Sequence, residues 1–502
     1  MPKLSYDRLK LLLFILLILT AVFFRFYKIR DYVVFLGDEG RDMIVIRDIF
    51  VKHHIPFLGP TASVGGFYLG PVYYWMAAPF LLLWRFDPVG PSYMIAIFGL
   101  LTVLLLYKFL KETVGFWPAF LVGLLYSTAP LIVRYSRSSW NPNPLPFFSL
   151  FLIYMTYLGI KRAKPIFFLV AGLAFGIAIQ LHYLALLLVL VFLAIVLLST
   201  NWKTWPKSIA LYIVGTLITF SPFLLFEAAH NFPNFRTIFE FVTRGTNVGY
   251  KSFNFLWLIT NTGNIFLEEI SHLGGTIYTK IIVWTLLFFS LYGFYKTRKD
   301  KEKKLLYTTG FIWFFGGLLL LRVYTGNLND YYFGFLFPAP FFLLGLIFSE
   351  LWGNKFLRLI PLGFTMFALI WFTSNAFFKN SPNKLINQTE TVAQEIIQKT
   401  GGKPYNFALV SDHNSDHAYR YFLDIKGDPP TQLETMVTDQ LIVLCESQKC
   451  SPLGNPLWEI AAFGRGEIVG QWDLPKFGFK LYRLTHWSGA PSPAGKPAVK
   501  GG

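Results

Sequence analysis

The chain has 502 residues, of which 54% are hydrophobic, 19% aromatic and only 15% charged, with a formal net charge of +17. Soluble globular chains carry about 25% charged residues, so the composition excludes a soluble enzyme, a disordered chain and a disulfide scaffold. It points to a polytopic, mainly helical membrane protein whose basic excess fits cytoplasmic loops and anionic lipid head groups, with no nucleic-acid partner expected.

Lys3, Arg8 and Lys10 flank the start of an apolar run, Leu9 to Phe24. The run ends in Arg25-Phe26-Tyr27-Lys28 and not in small residues, which predicts an uncleaved first span running from inside to outside. Further apolar stretches of about the spanning length follow near Ser92–Leu110, Phe116–Val133, Leu145–Ile160, Ile166–Gln180, Leu184–Leu198, Ile209–Phe226, Ile281–Tyr295, Leu305–Leu321, Tyr332–Phe348 and Phe356–Phe377. Basic clusters punctuate them: Lys108 with Lys111; Lys161, Arg162 and Lys164; Lys203 with Lys207; Lys296 through Lys304; Lys355 with Arg358. These belong in the cytoplasm if Val72–Trp84, rich in tyrosine and tryptophan, is a helix along the outer interface and not a span. The layout has about eleven spans plus juxtamembrane helices. Arg25, Lys28 and Arg30 fall outside, against the charge rule.

From Ser381-Pro382 the character changes. An amphipathic stretch with Leu385, Ile386, Val392, Ile396 and Ile397 ends at Gly401-Gly402. Strand-like Phe407–Ser411, Leu441–Cys445, Ile468–Trp472 and Phe479–Leu484 surround a helix-like Ala418–Ile425. The expected organisation is a membrane domain over 1–380, a small extracytoplasmic α/β domain over 381–487, and a disordered tail over 488–502, rich in Pro, Gly and Ala.

Acidic residues are scarce in the membrane part, and only Asp87 and Glu112 occur between Ile49 and Phe226. Against that background Gly37-Asp38-Glu39-Gly40-Arg41-Asp42 stands out in the first outer loop. Asp42 lies one helical turn beyond Asp38, and Arg41 is placed to pair with a carboxylate. A carboxylate near the interface can act as general base for an acceptor hydroxyl. The same pair could instead favour a helix start near Gly40.

An Asp-Glu pair shortly after the first span, an interfacial Pro-aromatic segment, many spans and an outer α/β domain together resemble the GT-C-fold glycosyltransferases. The likeness is to the bacterial group related to protein O-mannosyltransferases, aminoarabinose transferases and Rgt-type lipopolysaccharide sugar transferases. It covers about Leu9 to Phe378. Tyr68-Leu69-Gly70-Pro71-Val72-Tyr73-Tyr74-Trp75 resembles that group's Pro-Pro-Leu-Tyr-Tyr-Trp segment, with one proline retained and Leu69 where a basic residue often stands. The resemblance implies inverting transfer of a sugar from a polyprenyl-phosphate donor to an acceptor hydroxyl at the outer face of the plasma membrane. Asp38 would be the base and Glu39 would help place the acceptor. The acceptor is left open among lipid, glycan and protein.

A lipid-phosphate leaving group needs positive charge and hydrogen-bond donors. The candidates are Arg134 and Arg137 before Trp140-Asn141-Pro142-Asn143, His182 in the Gln180–Tyr183 turn, Arg236, and Arg322 with Tyr324. Glu227 could contact a sugar hydroxyl or pair with an arginine, and Arg41, Asp42, Tyr73 and Tyr74 complete the substrate-binding candidates. For each arginine the competing reading is an interface side chain that snorkels. No cofactor is expected and a divalent cation is left open. His413 and His417, with Asp412 and Asp416, form a weak metal candidate against a polar loop with a helix cap. Cys445 and Cys450 enclose a short loop that could form a disulfide. The alternative function is a transporter or flippase of polyprenyl-linked sugars.

Overall fold

The computed structural model describes residues 6–62, 65–244, 254–273, 276–447, 450–489 and 494–498. In chain order the main helices are α1 (Tyr6–Phe26), α2 (Gly37–Val51), α3 (Val72–Leu83), α4 (Val89–Val114), α5 (Phe116–Thr128), α6 (Pro130–Tyr135), α7 (Leu145–Lys161), α8 (Ile166–Leu181), α9 (Leu187–Ser199), α10 (Trp205–Ala229), α11 (Pro233–Arg244), α12 (Phe255–Ser271) and α13 (Thr276–Lys296). They continue with α14 (Lys301–Leu321), α15 (Ala339–Trp352), α16 (Leu359–Ser374) and α17 (Leu385–Thr400). The C-terminal elements are β1 (Asn406–Val410), α18 (His417–Ile425), β2 (Gln440–Cys445), α19 (Trp458–Phe463), β3 (Gly466–Leu474) and β4 (Phe479–His486).

The chain divides into two compact units. The first comprises Met1–Ile29, Ile55–Phe80 and Pro91–Ser381, and the second Arg30–His54, Leu81–Gly90 and Pro382–Gly502. Two stretches of the first loop, α2 among them, belong to the same unit as Pro382–Gly502.

In the first unit the apolar runs fold as helices, the arrangement that satisfies every backbone polar group without water. Among the described residues five helices are long and apolar enough to cross a membrane: α1, α4, α10 with the turn before it, α13 and α14. The pair Asp330–Leu336 and α15, bent by 50°, would make a sixth, and several shorter apolar helices accompany them. Prolines sit in the first turns of α6, α7, α10 and α15, where their missing N–H is not needed. Several expected boundaries shift. The single span foreseen over Phe116–Val133 breaks at Ala129, whose extended conformation precedes Pro130. The span expected over Ile209–Phe226 is longer at both ends, α10 running from Trp205 through Pro222 to Ala229. The long loop expected over Glu227–Lys280 contains α11 and α12, while its residues 245–253 and 274–275 lie outside the described residues.

Arg25 is not an outer-loop residue. It is fully buried in the first unit, donating to the carbonyls of Ser127 (3.2 Å) and Ala21 (3.4 Å). Its Nε and Nη2 have no hydrogen-bond partner among the described residues. Arg30, in the second unit, pairs with Asp87 and with Glu390 at 3.5 Å. Each of these two cations is held by protein groups.

The second unit is built on a sheet of order β1-β2-β4-β3. β1 and β2 are parallel, connected through α18, and β4 pairs antiparallel with both β2 and β3. Every residue of β2 is buried, as expected for a central strand. Ala408, Leu441, Val443, Ile460, Phe463 and Leu484 form its core, each large side chain contributing roughly 1.5–3 kcal/mol by burial. Cys445 and Cys450, left open by the sequence, are disulfide-bonded. The tail over 488–502 is not wholly without structure: Gly495 and Lys496 exchange 2.8 Å backbone hydrogen bonds with Val437. Residues 490–493 and 499–502 lie outside the described residues.

Candidate functional site

Of the residues singled out, Asp38, Glu39, Arg41, Asp42, Asp412, His413, Asp416, His417, Cys445 and Cys450 fall in the second unit, and the remaining candidates in the first. In the second unit, Gly37-Asp38-Glu39-Gly40 opens α2, and the two acids take different work. Glu39 is buried and its carboxyl accepts a 3.0 Å hydrogen bond from the backbone N–H of Leu36, the reverse half of a capping box. Burial, partly offset by the N–H groups of Leu36 and Glu39 itself, pushes its pKa up to about 7 from an ordinary 4.5. The Glu39 carboxyl thus caps the start of α2. Asp38 keeps a side chain that is 60% exposed. Its carboxylate receives Arg41 Nη1 at 3.1 Å, while Arg41 Nη2 holds the fully buried Asp42 at 2.9 Å. An exposed ion pair is worth only ~0–1 kcal/mol. Asp42 is thus the anchor of the guanidinium, and Asp38 is the carboxylate that stays open.

The two glycines explain why the motif takes this form. A Cβ at Gly37 would stand 1.8 Å from Ser415 Oγ, and one at Gly40 would stand 2.3 Å from the backbone N of Ala418. The start of α2 therefore lies directly on the loop that leads into α18. Gly37 N–H donates to Asn414 Oδ1 at 3.0 Å, and Asn414 in turn donates to Glu446 at 3.2 Å. The Ser411–His417 stretch considered for a metal is the seat of the Asp38 helix. His417 Nδ1 lies 3.0 Å from Ser415 Oγ and 3.6 Å from Asp416, and burial lowers its pKa. His413 is exposed. No group of three or more His, Cys, Asp or Glu side chains able to hold a metal ion occurs among the described residues.

In the first unit, several candidates are spent on the backbone. Arg137 donates to the carbonyls of Phe24 (2.9 Å) and Tyr27 (2.7 Å) and lies over the Phe377 ring. Glu227 is fully buried and accepts from Asn234 Nδ2 (2.7 Å) and Phe235 N–H (3.1 Å), capping α11 where its free N–H groups need an acceptor. Among the described residues its partners are at that helix start. Tyr73 is buried with its hydroxyl 2.7 Å from Ser139 Oγ, and Tyr74 packs beside it. Arg322 donates to Thr262 Oγ1 at 2.8 Å, and Arg236 is exposed.

His182 ends α8, its Nδ1 accepting from Leu184 N–H at 3.2 Å. Desolvation lowers its pKa to about 4. Its ring packs on Tyr331 and Tyr332. Tyr331 also meets Trp140, and Trp140 stacks with Tyr135. The hydroxyl of Tyr135 donates to Asp330 at 2.6 Å, and the exposed Arg134 reaches Asp330 at 3.5 Å. Sequence reasoning found Arg134 and His182 but missed Asp330 and Tyr331, which join them. The available signal was an acid beside two tyrosines in an acid-poor membrane unit.

Residues 69–226 match the family model described as dolichyl-phosphate-mannose-protein mannosyltransferase. Comparison with curated proteins by sequence gives no match. Among solved structures the chain is similar to ArnT from Cupriavidus metallidurans bound to undecaprenyl phosphate, at 13% identity and a TM-score of 0.62, covering 98% of this chain and 100% of that one. The apo state of the same ArnT aligns at 14% identity and a TM-score of 0.59, covering 95% of this chain and 98% of that one. The apo Archaeoglobus fulgidus oligosaccharyltransferase aligns at 11% identity and a TM-score of 0.52, covering 97% of this chain and 75% of that one. All are GT-C-fold glycosyltransferases. The chain therefore has the GT-C fold, with a mostly helical apolar part and a small C-terminal sheet.

Proposed function

We propose that this protein is a membrane glycosyltransferase that moves a sugar, with inversion, from a polyprenyl-phosphate donor to an acceptor hydroxyl on the extracytoplasmic face of the plasma membrane. The observation that carries the reading is the open carboxylate of Asp38 at the start of α2, in a chain whose fold matches a glycosyltransferase bound to undecaprenyl phosphate over nearly its whole length. Asp38 takes the proton of the acceptor hydroxyl as that oxygen attacks the anomeric carbon. The bond from that carbon to the phosphate oxygen breaks, and the polyprenyl phosphate leaves with the electron pair. A phosphate leaves without protonation, so a general base is what the reaction asks of the protein. Glu39 and Asp42 hold the helix start and Arg41 behind Asp38. Arg134 and Arg236, exposed in the first unit, are the cations we assign to anionic lipid phosphate.

The test is Asp38→Asn in membranes supplied with radiolabelled polyprenyl-phosphate sugar. Loss of transfer with unfolding temperature and lipid binding unchanged supports the assignment. Full transfer in that variant overturns it, and sugar-lipid translocation without any transfer would favour the flippase. Cysteines introduced at Ser411 and Lys301 test the orientation, position 411 being expected to label from outside and 301 only from inside.

A further inference from the structure

The start of α2, which carries Asp38, is held from two sides. On one side Glu39 accepts the Leu36 N–H at 3.0 Å. On the other the Gly37 N–H donates to Asn414 Oδ1 at 3.0 Å. Free N–H groups at a helix start need such acceptors. A backbone N–H can only donate, so it fixes which way round the Asn414 amide lies: the oxygen faces Gly37 and the nitrogen faces away. That nitrogen reaches both carboxyl oxygens of Glu446, at 3.2 and 3.3 Å. The buried Tyr419 hydroxyl donates to the same carboxyl. Burial and the neighbouring Glu446 push the Tyr419 pKa up, which keeps this hydroxyl a donor.

The relay has one polarity, because both side-chain donors that meet at Glu446 point toward it. A carboxylate accepts and does not donate, so the amide opposite it has one stable orientation. An amide at position 446 would present a donor as well as an acceptor, and Asn414 would no longer be obliged to keep its oxygen on Gly37. Glu446 also stands on a firm base. It follows the last residue of β2, Cys445, which is disulfide-bonded to Cys450. Its own N–H donates to the carbonyl of Val410, the last residue of β1, at 3.0 Å. At the other end of the relay, a Cβ on Gly37 would stand 1.8 Å from Ser415 Oγ. The backbone that carries Asp38 therefore follows any movement of the loop at 414 and 415.

We propose that Glu446 is a positioning residue for the transfer reaction: by fixing the polarity of Asn414 it sets the start of α2, and with it the Asp38 carboxylate. The proposal rests on the transferase reading above. A reacting group displaced by about 1 Å can cost on the order of 10²-fold in rate. The test is a polarity swap in the full chain in lipid nanodiscs. Glu446→Gln sets an amide donor against the Asn414 amide, and Asn414→Asp sets two carboxylates against each other. In the double variant, Asn414→Asp with Glu446→Gln, the carboxylate at 414 accepts from the Gly37 N–H and from the amide at 446, whose oxygen still accepts from Tyr419. Each single variant should lower kcat per folded molecule about tenfold or more, with KM for the sugar-lipid unchanged, and the double variant should recover most of the loss. Hydrogen–deuterium exchange over residues 36–42 should quicken in each single variant and slow again in the double. A role confined to stability would lower the unfolding temperature and leave kcat per folded molecule unmoved, which overturns the proposal. A double variant no better than the single ones, or exchange unchanged in both single variants, overturns it too. Absence of transfer in the parent would sink the transferase reading, and the exchange pattern alone would then decide whether Glu446 holds the start of α2.

Discussion

The two units use their scarce polar side chains differently. In the first unit, Arg137 and Glu227 hold backbone carbonyls and a helix start, and Tyr73 holds a buried serine. In the second, Asp38, Arg41 and Asp42 hold one another in a graded chain that runs from a fully buried carboxylate to an exposed one. Scarcity of a residue type marks where it costs most to place it. It does not say whether the cost is met for architecture or for chemistry. What separates the two is whether some polar atom is left facing a ligand.

The contrast is sharpest within the pair Asp38-Glu39. Asp38→Asn should cut transfer by about 10²–10⁴-fold, the usual worth of a general base, with the unfolding temperature unmoved. Glu39→Gln should do the reverse. The Glu39 carboxyl is raised from 4.5 to about 7 in the folded chain, so the folded state binds the proton more tightly than the unfolded one. Stability is then greatest at low pH and declines as pH rises from about 4.5 to 7, by on the order of 3 kcal/mol. Gln cannot ionise and keeps a carbonyl for Leu36 N–H, so the decline should disappear in denaturant titrations at pH 5 and pH 8. A parent protein with equal stability at both pH values would remove the distinction between the two acids.

Smaller effects probe each unit separately. Glu227→Ala strands the first N–H groups of α11 and the Asn234 amide, and should cost roughly 1–3 kcal/mol without a change in acceptor KM. Gly40→Ala forces a methyl group against the Ala418 backbone and should cost about 1–3 kcal/mol by overpacking, read as lost protease resistance of the second unit. Arg134→Ala should weaken binding of undecaprenyl phosphate by roughly tenfold or less, the worth of one solvated charge-assisted contact. A hundredfold loss would show that the first unit holds its phosphate through that single residue.

Much of the fold was legible because it rests on local signals. The apolar runs, the amphipathic stretch that became α17 and the strands around α18 are visible in the order of residues. The interruption at Ala129-Pro130 was not, because a proline's effect depends on the neighbours that re-satisfy the backbone around it. In the candidate site, the pairing of Arg41 with the carboxylates at 38 and 42 was legible from spacing, whereas the base role proposed for Asp38 came from the resemblance. The partition of roles between Asp38 and Glu39 was not, since it follows from burial and from a hydrogen bond to Leu36. Nor was the placement of α2 in the C-terminal unit, which depends on contacts between residues nearly 380 positions apart, such as Gly37 with Asn414.

Arg25 carries a consequence for how the chain is made. Within an inserted α1 it would cost about 2.5–3.5 kcal/mol if left facing lipid near mid-membrane and less near the interface. In the finished protein part of that cost is offset by the Ser127 carbonyl at the end of α5, which emerges from the ribosome about a hundred residues later. The buried guanidinium of α1 therefore depends on a partner that is synthesised later. A chain truncated before α5 would leave Arg25 with only the Ala21 carbonyl of its own helix as acceptor among these two.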